Sequence, residues 1–236
     1  DYLLRINKFI SETGFCSRRE ADRLVESGKV TINGVTAELG SQAEDGDDVR
    51  INGQPIKEKR KHVYIALNKP VGITSTTERH IQGNIVDFVG HKERIFPIGR
   101  LDKDSEGLIL MTNDGDIVNR ILRAEGRHEK EYIVTVDRAV TPSFLRGMST
   151  GVKILGEMTL PCTVTRISDR VFRIILTEGK NRQIRRMCSA FGYEVRKLKR
   201  IRIMNIHLGE QATGTWRELT PAEKSELSSL LDYTME

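Results

Sequence analysis

The chain has 236 residues, 38 Lys and Arg against 33 Asp and Glu, and a formal net charge of +5. A hydrophobic share of 38% and a charged share of 30% describe a globular chain with a wet surface, long enough for one large domain or one large and one small. No apolar run reaches the roughly 20 residues a bilayer-crossing helix needs and no signal peptide is legible, which argues against a membrane protein and predicts a cytoplasmic location.

Cys16, Cys162 and Cys188 are isolated and odd in number, which suits a reducing compartment and small core residues rather than disulfides. No CxxC or paired His/Cys spacing points to zinc. Charge is uneven along the chain. Lys180 to Arg202 holds nine basic residues and one acidic, Glu194, so this stretch carries +8 and the remainder about −3. A positive field so concentrated points to a polyanion, nucleic acid above all.

Residues 1–56 read as a small unit of two helices and short strands. Ile6, Phe9 and Ile10 share one face of a first helix that stops at Gly14. Ser17 and Glu20 have the spacing of a capping box, so a second helix starts at Ser17, buries Ala21, Leu24 and Val25, and ends at Gly28. Asn33-Gly34, Asp45-Gly46 and Asn52-Gly53 are turn signals between strands. Arg18, Arg19 and Arg23 lie near the N-terminus of the second helix, where free N–H groups favour an anion. The segment through Lys61 is balanced at eleven basic and eleven acidic residues, so a merely solvated face is an equal reading.

Residues 57–62, KEKRKH, read as a charged linker, and 63–236 as the large unit. Tyr64 to Leu67 is a predicted strand that turns at Lys69-Pro70 and Gly72. Asn84 to Val89 is a short helix, Ile117 to Arg123 a brief amphipathic one, and residues 128–136 a strand by alternation. Thr141-Pro142 starts a helix through Ser149, and Leu160 to Ile167 with Val171 to Thr177 form a hairpin. A helix between Asn181 and Phe191 carries an apolar stripe of Ile184, Met187, Cys188 and Phe191, with Arg182, Arg185 and Arg186 off it. Basic strands follow from Tyr193 to Leu208. Thr220 caps a last helix that buries Leu227, Leu230 and Leu231.

The stretch Ile98 to Gly115 has the form turn, buried strand, turn, which holds a side chain at the edge of a rigid sheet. Asp102 is that side chain, with Arg100 near enough to keep it ionised or to contact a phosphate. A solvated β-turn is the plain alternative. A calcium loop is another, because Asp102, Asp104, Glu106 and Gly107 match its first positions, but its twelfth is Asn113 and Leu108 to Met111 reads as strand.

Several stretches resemble one family. GRLDKDSEGL resembles the catalytic motif of pseudouridine synthases, which implies that Asp102 is the essential residue. NKPxG within VYIALNKPVGITST resembles their first motif, whose role there is chiefly structural. HEKEYIVTV implies that Tyr132 stacks on the target uracil and is placed to move a proton. NRQIRRM resembles their third motif and implies that Arg185 pairs with the catalytic carboxylate. Leu198 matches the aliphatic position against the flipped base, and Arg100 lies on the substrate side.

LRINKFISETGFCSRREADRLVESGKVTINGVTA is similar to the S4 RNA-binding domain, which implies phosphate contacts for Arg5, Lys8, Arg18, Arg19 and Arg23; Arg182 and Arg186 are expected to join them. The combination is similar to the RsuA branch of bacterial ribosomal RNA pseudouridine synthases, most of all its RluF type. The resemblance implies an α+β chain, a small αα-β domain ahead of a mixed, mainly antiparallel sheet flanked by helices. It implies a monomer that acts on 23S ribosomal RNA, free or in a precursor subunit, without cofactor or metal. A tRNA substrate stays open. A non-catalytic RNA-binding or assembly factor is the rival of another class, and a hydrolase using Asp102 with a second acid a weaker one.

Overall fold

Glycine-bearing turns set the first elements, because only a residue tolerant of positive φ closes them. Asn33 and Gly34 adopt φ 51° and 83° between β2 (Val30–Ile32) and β3 (Val35–Thr36). Asn52 and Gly53 do the same between β5 (Val49–Ile51) and β6 (Gln54–Pro55). These four strands form one sheet in the order β3-β2-β5-β6, while β1 (Leu4–Arg5) pairs with β4 (Gln42–Ala43). Helices α1 (Ile6–Glu12) and α2 (Arg18–Glu26) bury Ile6, Ile10, Ala21 and Val25 into a core with Val30, Val49 and Ile51. Only half of the expected capping box forms. The Ser17 hydroxyl accepts from Glu20 N at 3.1 Å, but the Glu20 carboxylate turns outward to Arg23 at 2.9 Å.

The structure, a computed structural model, describes residues 3–56, 62–123 and 127–235. The chain divides into two units, Asp1–His62 and Val63–Met235. Apart from His62, the expected charged linker lies outside the described residues.

The second unit is built on a nine-stranded sheet. In chain order its elements are β7 (Tyr64–Lys69), α3 (Ile85–Val89), β8 (Phe96–Pro97), β9 (Glu106–Thr112), α4 (Gly115–Leu122), β10 (Lys130–Val136) and α5 (Pro142–Ser149). There follow the small hairpin β11 (Lys153–Ile154) and β12 (Glu157–Met158), then β13 (Thr163–Ser168), β14 (Val171–Leu176), α6 (Gln183–Ala190), β15 (Val195–Ile203), β16 (Ile206–His207), β17 (Trp216–Glu218) and α7 (Pro221–Leu231). The strand order is β13-β14-β10-β15-β9-β7-β17, with β16 on β15 and β8 on β9. Every pair of this sheet is antiparallel except β9 with β15, which are parallel and matched at Lys199↔Glu106 and Arg200↔Gly107. The whole is α+β.

Separate cores lie on the two sides of this seam. Val134, Phe172, Ile174 and Leu198 pack with Phe144 and Met148 of α5 and Met187 of α6. Ala66, Leu108 and Leu110 pack with Ile117 of α4 and Leu227 and Leu231 of α7. Some outward positions differ from the pattern. Leu230 is 52% exposed, and Phe191 stands 39% exposed at the end of α6, its ring edge-on to Phe144 at 5.9 Å. Asn113-Asp114-Gly115 is less a turn than a helix start. Asp114 caps α4 by accepting from Asp116 N at 3.1 Å, and its buried carboxylate accepts from the Tyr64 and Tyr233 hydroxyls at 2.6 and 2.8 Å.

The seam depends on one residue. Gly107 has φ 109°, and a Cβ there would meet the Arg200 carbonyl oxygen and lie 2.8 Å from the Arg200 nitrogen. Backbone cannot yield as a side-chain tip can. Gly107→Ala is expected to cost about 3 kcal/mol or more of stability, read as a lower urea midpoint. An unchanged midpoint would show that the seam relaxes freely.

Candidate active site

The loop that carries Asp102 is held on every side. Its own turn closes by Ser105 N donating to Asp102 O at 3.0 Å. Buried Ser75 donates to Leu101 O at 2.9 Å and accepts from Leu101 N at 3.2 Å. Gly72 N donates to Lys103 O at 2.8 Å. Arg185 reaches across from α6 to Asp104 O at 3.1 Å and to the buried Ser105 hydroxyl at 3.2 Å. Beneath the loop, Lys69 is fully buried and donates to Pro70 O and Ile73 O, both at 2.9 Å. Burial pushes its pKa down to about 8, against the pull of Asp102, Asp104 and Glu106. The NKPxG turn is thus a scaffold for the Asp102 loop.

Asp102 is 35% exposed and faces a cleft of about 430 Å³. The cleft is lined from the loop by Arg100, Asp102 and Ser105, from β10 by Lys130 and Tyr132, from β15 by Leu198 and Arg200, and from the α6 stretch by Arg182 and Arg185. Strand alternation explains the pairs. Lys130 and Tyr132 are two apart on β10, Leu198 and Arg200 two apart on β15, and Tyr132 stands opposite Arg200 in the register. Five residues of the expected set therefore meet in one place: Arg100, Asp102, Tyr132, Arg185 and Leu198. Arg182 joins them, although only an RNA-binding role was expected of it.

The ion pairing differs from expectation. Asp102 is contacted by Arg182, Nη1 to Oδ2 at 3.3 Å, not by Arg185. Arg182 also grips Asp104 with both terminal nitrogens, at 3.0 and 2.8 Å. Arg185 forms its ion pair with Asp104 at 3.5 Å. The reason is local geometry. Arg182 is the N-cap residue of α6, in a left-handed conformation (φ 49°, ψ 40°), and reaches both loop carboxylates; Arg185, three residues on and under one turn away, reaches the Asp104 carbonyl and Ser105. The Arg182 hydrogen bond holds the Asp104 carboxyl below its ordinary range, and the pairing raises Arg182 in return.

Other expected residues lie elsewhere. Arg186 folds back on Asn181, Nε to O at 3.0 Å and Nη2 to Oδ1 at 2.9 Å, and does not line the cleft. Arg5 stands exposed on β1, and Arg18, Arg19 and Arg23 are exposed on α2 of the N-terminal unit. Lys8 on α1 is half-buried, 3.9 Å from Glu12. Among the described residues no group of His, Cys, Asp and Glu has metal-site geometry, and no helix is long and apolar enough to cross a membrane. Lys69 was read from sequence as part of a structural turn, whereas Ser75, Lys130 and Arg200 were missed as parts of the site. The spacing two residues from Tyr132 and from Leu198 was the available signal for the last two.

Both units of the chain are similar to known proteins. The RNA pseudouridylate synthase family matches residues 63–190, and the S4 domain residues 4–49. The chain is 58% identical to the dual-specificity RNA pseudouridine synthase RluF of Escherichia coli K12 over 98% of its own length and 81% of that protein. It is 36% identical to ribosomal large subunit pseudouridine synthase B of Bacillus subtilis over 97% of each chain. A crystal structure of a pseudouridylate synthase superposes with a TM-score of 0.68 at 29% identity, covering 96% of this chain and 99% of that one. The cleft beside Asp102 thus lies in a chain that belongs to the RNA pseudouridylate synthase family and carries an S4 domain ahead of the synthase core.

Proposed function

We propose that this synthase isomerises a uridine of 23S ribosomal RNA, with Asp102 as the reacting carboxylate and Tyr132 and Leu198 as the faces that hold the everted uracil. The observation that carries the reading is the convergence of Asp102, Tyr132 and Leu198 on one cleft of about 430 Å³ in a chain of this family. The name of one relative, a ribosomal large-subunit synthase, supports a large-subunit RNA substrate, and that of another, a dual-specificity RNA synthase, leaves room for a second RNA. Tritium release from tRNA carrying 5-labelled uridine decides whether a second RNA is used. The protein works as a cytoplasmic monomer.

In the reaction the N1–C1′ bond breaks, the base turns and C5 joins C1′. The product is an isomer of the substrate, so the chemistry calls for no oxidant and no group donor. The target atoms are inaccessible in a stack, so the base is first flipped at a cost of a few kcal/mol. Backbone contacts through the S4 unit and the basic stretch 180–202 offset that cost, with stacking on Tyr132. Arg182 covers Asp102 in the free protein, and an RNA phosphate competing for that guanidinium uncovers the carboxylate as substrate enters. Arg185 acts at one remove, as a positioning residue that fixes Asp104 and Ser105.

Asp102→Asn is expected to abolish tritium release from RNA carrying 5-labelled uridine, while RNA affinity stays within about threefold. An active Asn variant would remove Asp102 from the chemistry. Arg185→Gln should lower the saturating single-turnover rate by about a hundredfold with affinity again within about threefold; an equal loss in rate and binding would make it an RNA contact instead. RNA affinity should fall steeply with salt, with a log–log slope of several units, and a flat dependence would contradict the phosphate grip.

A further inference from the structure

Six cationic side chains line the cleft against two carboxylates, Asp102 and Glu178. Three of the cations are accounted for. Arg182 and Arg185 hold the Asp102 loop, and Lys180 pairs with Glu157 at 2.8 Å and Glu178 at 3.6 Å. Arg100 stands exposed at the rim. Lys130 and Arg200 are different, because among the described residues no carboxylate pairs with either. Arg200 is 4% exposed, and its hydrogen bond runs from Nε to Leu108 O at 2.7 Å. Lys130 is half-buried with neither hydrogen bond nor ion pair among the described residues, yet it lines the cleft. A cation partly withdrawn from water with no carboxylate beside it is costly, and such a group suits a place where negative charge is to arrive.

The strand register says which charge. Lys130 sits beside Tyr132 on β10, and Arg200 beside Leu198 on β15, with Arg200 opposite Tyr132. Ring and aliphatic side chain offer flat surfaces to the two faces of a base; the cations next to them meet its edge. We infer that Lys130, backed by Arg200, binds the carbonyl edge of the everted uracil and stabilises the negative charge the ring carries while it is detached from the sugar. This rests on the function proposed above. When N1–C1′ breaks, its electron pair leaves on N1 and spreads onto O2 and O4. It returns as C5 bonds to C1′, and the proton lost from C5 is balanced by one gained at N1. Lys130 supplies charge to this sequence and gives up no proton.

Burial, and then Arg200, push the Lys130 pKa down to about 8. The charged groups that share the cleft with it are Arg200 from β15, Asp102 and Arg100 from the loop, Glu178 and Lys180 beyond β14, and Arg182 and Arg185 of the α6 stretch. The protonated form is the useful one, so the wild-type rate should fall as pH rises through about 8. A guanidinium keeps its charge there.

The test compares wild type, Lys130→Met, Lys130→Gln and Lys130→Arg in single-turnover tritium release at saturating RNA, with RNA affinity and thermal midpoint measured beside it. Met and Gln are expected to lose about a hundredfold in rate with affinity and midpoint nearly unchanged. Arg should recover most of the rate and keep its plateau above pH 8, although Lys69 and the RNA titrate identically in both proteins. Unchanged rates in Met and Gln overturn the assignment. So does a loss of affinity at full saturating rate, which would make Lys130 a phosphate contact, and so does a lower midpoint that accounts for the lost rate. A wild type that releases no tritium defeats the proposed function itself, and this inference with it.

Discussion

The parallel contact between β9 and β15 is the constraint on which the site depends. It spans two matched positions, Lys199↔Glu106 and Arg200↔Gly107, and joins two groups of otherwise antiparallel strands. The backbones approach so closely at Gly107 that no side chain fits there. Because β9 begins directly after the Asp102 loop, the same approach that closes the sheet sets Asp102 beside β10 and β15. The position of Asp102 and the continuity of the sheet are thereby coupled.

The loop ahead of the seam is rigid by redundancy. Ser75, Gly72 and Arg185 each bond a different backbone group of residues 101–104, and Lys69 braces the turn below. A carboxylate on such a loop loses little freedom when substrate arrives, which is the condition under which positioning contributes to rate. Its cover, Arg182, is held at both ends by carboxylates yet stays 38% exposed. If an entering polyanion draws Arg182 away, the backbone holds from Ser75, Gly72 and Arg185 remain on the loop.

Much of this was legible in the sequence, for physical reasons. Turn glycines, N-caps and apolar periods are local signals, and they placed both helices of the first unit, the strand ahead of NKPxG, and the Thr141 and Thr220 caps. Motif resemblance brought Asp102, Tyr132, Leu198 and Arg185 to one site. What escaped was set by tertiary geometry. Arg182 and Arg185 differ by under one helical turn, and which of them reaches Asp102 depends on a left-handed cap that no spacing reveals. Leu230 lies off the face that Leu227 and Leu231 bury four residues apart on α7, and Phe191 follows the last turn of α6, where one edge of its ring meets Phe144 and the rest stays exposed. Glu20 had a backbone partner by spacing but found a nearer cation in Arg23. Lys130 and Arg200 looked like parts of a general basic stretch, since burial of a charge cannot be read from composition.

On the proposed function this cleft receives a single everted uracil between Tyr132 and Leu198, beside Asp102. A crystal structure of the Asp102→Asn protein with a ribosomal RNA hairpin bearing the target uridine tests it most directly. The uracil is expected out of its helix, its face on the Tyr132 ring and its sugar next to position 102, with the Arg182 side chain turned toward a phosphate. A uracil still stacked within the hairpin, with the cleft empty and Arg182 in place, would contradict it.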